Sequence, residues 1–334
     1  MGENLQKSIA QQFDVKNRKI LAELDANARQ TTSEIAKKVG ISSQLTGHRI
    51  TGLIENKTIG RFLTIFNFRK LGYDAYYVLV ELQHVTKEKE EEIISFIGKQ
   101  PSCVWLVSLY GRHALLFTIL AKSAADFRRA QAVILEKFAP VIKQSSFVIG
   151  LEGSHGRKKY FVASDSIEKN PMIESSQIFH PDAKDLQIMN RLYLNPLESL
   201  TEIARNIGCN FKTVRTRMKK LVDEKVVLKT TFELNSAKVK YEWHLMFLEF
   251  NHSNVSSEKK LKAYLYAHPN VVYVTSTVGR WNLLVDFHVM DHDELDRVLH
   301  ELRERFGGLI KSYENVRISR THKCSFLPEK LFRE

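Results

Sequence analysis

Five cations, Lys212, Arg215, Arg217, Lys219 and Lys220, stand within nine residues of one another, with Thr213 and Thr216 among them. That density of positive charge and hydroxyls suits a phosphate backbone and the base edges beside it. At 3.6 residues per turn, Val214, Met218, Leu221 and Val222 share one apolar face. Lys212, Thr213, Thr216, Lys219 and Lys220 take the opposite face, and Arg215 and Arg217 lie on its two edges. Asn210 is placed to cap the helix start. Just upstream, Ile203, Ala204 and Ile207 mark a shorter helix that Gly208 ends. A solvated amphipathic helix would carry the same charges. The two-helix frame with a glycine turn separates the readings and predicts a helix-turn-helix whose second helix fits the DNA major groove.

Other chemistry is sparse. The chain has no P-loop, GxGxxG, HExxH or CxxC pattern. His288 and His292, with Asp286, Asp291 and Asp293 nearby, have the look of a metal cluster, but acidic helix caps look the same. His322-Lys323-Cys324 lacks further ligands in sequence. His113 is expected at the surface. Asp286 falls on an apolar strand without a named partner, which makes no active site. No catalytic residue, metal or cofactor is expected.

The 334 residues carry a formal charge of +12 and a pI near 9.4, with 43% hydrophobic and 26% charged residues. That balance suits a globular chain with a polyanionic partner. No apolar run approaches the roughly 20 residues of a membrane span, and the N-terminus lacks a signal-peptide core. Cys103, Cys209 and Cys324 are too few and too scattered for a disulfide framework or a zinc site, so a cytoplasmic setting is expected.

The elements that position these residues occur twice. Asp14 matches Asp182, and the same offset of 168 residues pairs Glu34-Ile35-Ala36 with Glu202-Ile203-Ala204 and Gly40 with Gly208. It also pairs Arg49 with Arg217, Leu53 with Leu221, Tyr73 with Tyr241, Gly111-Arg112 with Gly279-Arg280, and Phe138 with Phe306, without a gap. The period is far longer than a solenoid repeat and marks duplication of a whole unit. Each unit opens with three helices and a basic ribbon (61–68 in the first). Each continues β-α-β-β-α-β: 75–84, 86–99, 103–110, 114–121, 123–138 and 143–151, then 241–251, 256–267, 271–278, 281–289, 291–306 and 310–318. The predicted fold is α+β: two repeats of a winged helix-turn-helix followed by a ferredoxin-like βαββαβ sandwich. The expected boundaries are 14–70 and 71–151 for the first unit, 152–181 for a linker, and 182–238 and 239–320 for the second. Residues 1–13 read as a loose leader, Gly153–Lys159 as a flexible basic stretch, Tyr160–Val162 as a short strand, and 321–334 as a tail.

This order resembles the Lrp/AsnC, or feast/famine, transcription regulators. The resemblance rests on DVKNRKILAELDANARQTTSEIAKKVGISSQLTGHRITGLIENKTIGRF and its second copy DAKDLQIMNRLYLNPLESLTEIARNIGCNFKTVRTRMKKLVDEKVVLKT. Ordinary members have one such unit. The resemblance implies sandwiches that pair through their sheets, within the chain as a pseudo-dimer or between chains, and double-stranded DNA as partner. It also implies an amino-acid or 2-oxo-acid effector near the hairpin between the second and third strands, here Gly111-Arg112-His113-Ala114 and Gly279-Arg280-Trp281-Asn282. The candidate effector residues are Gly111, Arg112, Gly279, Arg280 and Asn282, with Arg280 as the carboxylate fork. Ala114 and Asn282 stand where the family usually has an acidic residue, which argues against ordinary amino-acid sensing. Paired proteins of the same architecture act as sirohaem decarboxylases, and that enzyme class is the main alternative. A co-regulator with one active DNA-binding unit is the second.

The two recognition helices differ. Residues 210–225 carry six Lys/Arg against two Asp/Glu; residues 42–57 carry two against one. Gln44 and His48, with Arg49 and the ribbon residues Arg61, Arg69 and Lys70, are the first unit's candidate DNA contacts. The second unit is expected to dominate.

Overall fold

The computed structural model describes residues 3–161, 172–174, 177–251 and 255–332. The first unit contains α1 (Glu3–Gln12), α2 (Val15–Ala26), α3 (Thr32–Val39), α4 (Ser43–Glu55) and β1 (Ile59–Phe66). Its sandwich follows as β2 (Asp74–Leu82), α5 (Lys87–Gly98), β3 (Cys103–Tyr110), β4 (Leu115–Ala121), α6 (Ala124–Phe138) and β5 (Ile142–His155). A short β6 (Met172–Ile173) precedes the second unit. That unit contains α7 (Ala183–Leu194), α8 (Leu200–Asn206), α9 (Phe211–Asp223), β7 (Val227–Leu234) and the single turn α10 (Ser236–Val239). Then come β8 (Glu242–Phe250), α11 (Val255–Ala267), β9 (Val271–Val278), β10 (Leu283–Val289), α12 (His292–Phe306) and β11 (Ile310–Cys324).

The helix starts follow from side chains that satisfy orphan backbone N–H groups. Asp14, Ser42 and Asn210 cap α2, α4 and α9. Thr31 with Glu34, Asp182 with Asp185, and Ser199 with Glu202 form reciprocal capping boxes on α3, α7 and α8. Gly40 and Gly208 take φ of +73° and +66° in the two turns before the recognition helices, a conformation open to glycine at little cost.

Within each sandwich the strand order is that of a ferredoxin-like sheet, β5-β2-β4-β3 and β11-β8-β10-β9. The two sheets join along two seams. Arg317–Cys324 of β11 pairs with β3, and Ile149–His155 of β5 pairs with β9. With β2–β5 pairing, eight strands close into a barrel, and β6 lies on the outside of β5. The sandwiches therefore pair within the chain. Side chains alternate: Leu79, Leu116, Val148, Phe247, Leu284 and Val316 fill the barrel. Val78, Phe117 and Ile119 lie on the outer face beneath α5 and α6, and Met246, Val285 and Phe287 beneath α11 and α12.

The wings are shared rather than separate. β1 and β7 form their own antiparallel two-stranded sheet. The basic ribbon is thus a strand paired with its counterpart from the other unit. α2 packs on β7 and α7 on β1; the Ala28 N–H donates to Thr230 O at 2.7 Å and the Thr64 hydroxyl to Leu192 O at 3.1 Å.

Three expected loose segments are ordered parts of the fold. Residues 3–12 form a helix with Leu5 and Ile9 fully buried against Tyr160 and Phe161. Gly153–His155 ends β5, and Lys158 is buried beside Asp25, Nζ to Oδ1 at 2.5 Å. Burial alone would raise Asp25; the Lys158 and Lys229 ammoniums overcome it and hold the carboxyl far below the usual range. Residues 159–161 are a 3-10 turn, not a strand, and Val162 lies outside the described residues. The expected tail continues β11 to Cys324 and buries Leu327 and Leu331.

Candidate nucleic-acid interface

Asn210 accepts from the Thr213 N–H at 2.8 Å and fixes the start of α9. Val214 and Leu221 anchor its back, both fully buried. Lys212, Arg215, Thr216, Lys219 and Lys220 are exposed on its front. Lys219 makes a solvated pair with Asp223 at 2.8 Å, a kind of surface pair that is weak and leaves the cation able to meet phosphate. Lys220 lies 4.9 Å from the Phe179 ring centroid and 3.9 Å from the fully buried Asp185, with its side chain still half-exposed.

Two candidate DNA contacts are turned elsewhere. Arg217 Nη1 lies 2.6 Å from Asp182 and 2.8 Å from the fully buried Asp185, both on or beside α7. Arg49 repeats the arrangement, with Nη1 at 2.6 Å from Asp14 and 3.0 Å from Asn17. Both guanidiniums brace a recognition helix within its own unit, Arg49 against the start of α2 and Arg217 against the start of α7. Thr213 is half-buried under its cap, leaving Thr216 as the exposed hydroxyl of the front.

The exposed face of α4 is nearly uncharged. Gln44, Leu45, His48 and Thr51 are exposed on α4. The ribbon cations are engaged within the fold: Arg61 pairs with Glu233 at 2.7 Å and Arg69 with Asp74 at 2.8 Å, and Lys70 is buried. The wing sheet accounts for Arg61, whose partner Glu233 lies on β7; Arg69 and Lys70 lie in the 3-10 turn after β1, where Arg69 also donates to Gly150 O.

The hairpins differ from the expected effector site. Arg112 pairs with the buried Glu81, and His113, expected at the surface, is buried with Nδ1 2.9 Å from Glu314. Asn282 is part of the hairpin: its side-chain oxygen accepts from the Phe250 N–H at 2.8 Å. Arg280 is exposed, its guanidinium 4.5 Å from the Trp281 ring centroid. Gly111 and Gly279 have φ of +118° and +132°, as hairpin turns require. The hairpins bring the effector candidates to two separate turns, and only Arg280 keeps an outward charge.

The metal reading does not hold together: no group of three or more His, Cys, Asp or Glu among the described residues could hold an ion. Asp291 caps α12, and His292 is exposed. His288 points into the barrel, 2.9 Å from the Tyr160 hydroxyl, and burial pushes its pKa well below the ordinary histidine value. His322 bonds Ser108 at 2.8 Å.

Sequence reasoning missed a cavity of about 160 Å³ at the end of the barrel nearest the wing sheet. Asp286 projects into it and accepts from the Trp243 indole N–H at 2.8 Å. Burial pushes this carboxyl up to about 7, against the pull of the indole bond. The signal was an acidic residue inside the apolar run Leu283–Val289; its partner lies 43 residues away.

Residues 13–58 and 181–227 match the family described as winged helix-turn-helix DNA-binding. Over 117 residues the chain is 28% identical to the transcriptional regulator AzlB of Bacillus subtilis, spanning 35% of this chain and 74% of that protein. Over 123 residues it is 29% identical to the leucine-responsive regulatory protein of Rhizobium meliloti, spanning 35% and 76%. The crystal structure of the siroheme decarboxylase NirDL superposes with a TM-score of 0.61 at 14% identity, over 95% of this chain and 97% of that one. A likeness at that identity concerns the fold alone. Fold and helix surface together define a tandem winged-helix protein. The chain resembles the Lrp/AsnC-type transcriptional regulators, with two winged helix-turn-helix units end to end. No helix among the described residues is long and apolar enough to cross a membrane.

Proposed function

We propose that this chain is a sequence-specific DNA-binding transcription regulator in which α9 is the main reader. The observation that carries the reading is the exposed front of Lys212, Arg215, Thr216, Lys219 and Lys220 on a capped, well-anchored second helix. Arg215 and Lys219 meet phosphates, and Lys212 and Thr216, nearer the bases, meet base edges. The first unit holds the scaffold, with Gln44 and His48 as secondary contacts. Mapping the bound sites on the source genome, followed by footprinting of one of them, tests this. A protected, sequence-defined site supports the reading, and uniform weak binding to all fragments opposes it.

A small carboxylate effector at Gly279-Arg280-Trp281-Asn282 is the finer form of this proposal. Arg280 supports it, because its exposed guanidinium can meet a carboxylate bidentately. Calorimetry with amino acids and 2-oxo acids should give heat that Arg280→Ala removes; silence with every compound leaves the hairpin as a turn only.

The second reading is a siroheme decarboxylase-like enzyme. The whole-chain fold likeness to NirDL favours it. The barrel cavity weighs against it. At about 160 Å³ it is by itself smaller than the roughly 300–1,000 Å³ that encloses a drug-sized ligand, so a tetrapyrrole would have to use the adjoining outer groove of about 530 Å³ as well. Saturable one-to-one binding of siroheme with loss of carboxyl groups would establish the enzyme.

A further inference from the structure

The barrel cavity contains one acid among aromatic walls. Tyr77, Trp105, Trp243 and Tyr273 line it, with the ring centroids of the two tryptophans 6.0 Å apart. Gly150 and Gly153 of β5 make room for the tyrosines: a Cβ at either would lie 2.9 Å from Tyr77 Cε2 or 2.8 Å from Tyr273 Oη. Asp286 has the Trp243 indole as its hydrogen-bond partner. The charged neighbours on the lining are already paired, Lys158 with Asp25 and Glu233 with Arg61. A buried carboxyl without a cation is costly, and an amide would accept the same indole bond without ionising.

The fold does not require this acid. The barrel is pseudo-symmetric, and 168 residues earlier Thr118 and Ala75 stand where the second unit has Asp286 and Trp243. Thr118 and Ala75 line the same cavity from the opposite side. The two halves of the barrel thus diverge where the second half places a lone carboxyl beside an indole.

We propose that this cavity binds a small organic ammonium ion, a primary amine on a ring-sized apolar body. The ammonium sits on Asp286 and against the indole and phenol faces, where ring quadrupoles attract a desolvated cation. The apolar body packs on Val104, Leu245 and Leu284. A cavity of about 150 Å³ is known to hold a benzene-sized guest. The cation supplies the charge that the carboxyl lacks, and the raised pKa of Asp286 accords with a site awaiting one. Leu63, Cys324, Ser325 and Phe326 line both this cavity and an outer groove of about 530 Å³, so movement of these side chains would join the two. Residues 231–234 of β7 roof the cavity, so an occupant touches the sheet that joins the two helix-turn-helix units. Binding itself is independent of the DNA-binding reading.

Full-length protein should be titrated with benzylamine, benzyl alcohol and benzoate, followed by tryptophan fluorescence and calorimetry. Benzylamine is expected to saturate one site, with benzyl alcohol and benzoate roughly tenfold or more weaker. Asp286→Asn, checked for folding by circular dichroism, should lose that advantage and leave benzyl alcohol unchanged. Trp243→Phe keeps a ring and should retain the preference for the amine. Equal affinity for benzoate and benzylamine would overturn the proposal, as would an unchanged preference in a folded Asp286→Asn protein, or no binding of benzylamine at about 10 mM. The charge preference of the wild-type protein decides the matter even where the variant fails to fold.

Discussion

Arg217 carries a charge that belongs to the helix's own unit. Removing it leaves the fully buried Asp185 without its guanidinium, so Arg217→Ala should lose about 1–3 kcal/mol of stability. Arg215→Ala, on the exposed front, should stay within about 0.5 kcal/mol. Urea unfolding of both checks the pair, and equal effects would refute the bracing role. Asp286 gives a second test. Its carboxyl titrates near 3.8 when unfolded and near 7 in the barrel. Folding therefore favours the protonated acid: the contribution is intact below about pH 4, is lost as pH rises through 7, and then stays level. A shift of that size amounts to ~4 kcal/mol at most. Tyr77 and Cys324 are pushed up to about 12, Tyr273 well above its ordinary value and His288 well below, so in the folded state none of these neighbours titrates with the acid between pH 4 and 7. The protonation of His288 on unfolding is common to wild type and Asp286→Asn and cancels in their comparison. Stability measured at pH 5 and pH 8 should fall further in wild type than in Asp286→Asn; parallel falls would contradict the assignment. At this scale the sequence was partly readable. The bracing role of Arg49 and Arg217 was hinted at by their presence in both copies, but a helical wheel cannot tell an edge arginine that meets DNA from one that meets α2 or α7.

Caps and glycine turns made the helices of both units legible, because those signals are local. Two kinds of element were not. Leu5 and Ile9 of α1 and Phe13 just beyond it stand at four-residue spacing, a stripe obscured by glutamines and a lysine, and its burial depends on Tyr160 and Phe161 far along the chain. Leu5→Ala should therefore cost about 2–5 kcal/mol, where a loose leader would show no change in a thermal melt. The ends of β5 and β11 were also read short, at 151 and 318. The hidden parts are those that leave their own sandwich to pair with the other one. Alternation within a strand shows two faces but not which distant strand lies beside it.

The whole molecule is a pseudo-dimer made from one chain, and the 168-residue offset is what made that visible. Fusion frees the halves to differ. Both keep the caps, the turn glycines and the bracing arginines, while α9 keeps the cations and the second half of the barrel keeps the acid. The cavity was not legible, since its walls come from strands spread over both units. The division of labour between recognition helices is the central claim. Binding to a footprinted genomic site, measured at several salt concentrations, tests it most directly. Arg215→Ala should flatten the salt dependence by about 0.9, the slope of one lost phosphate contact. Lys212→Ala with Thr216→Ala should weaken binding and relax sequence preference, and Gln44→Ala with His48→Ala should do much less. A greater loss from the Gln44 and His48 pair, with both proteins folded, would contradict the assignment of α9 as the main reader.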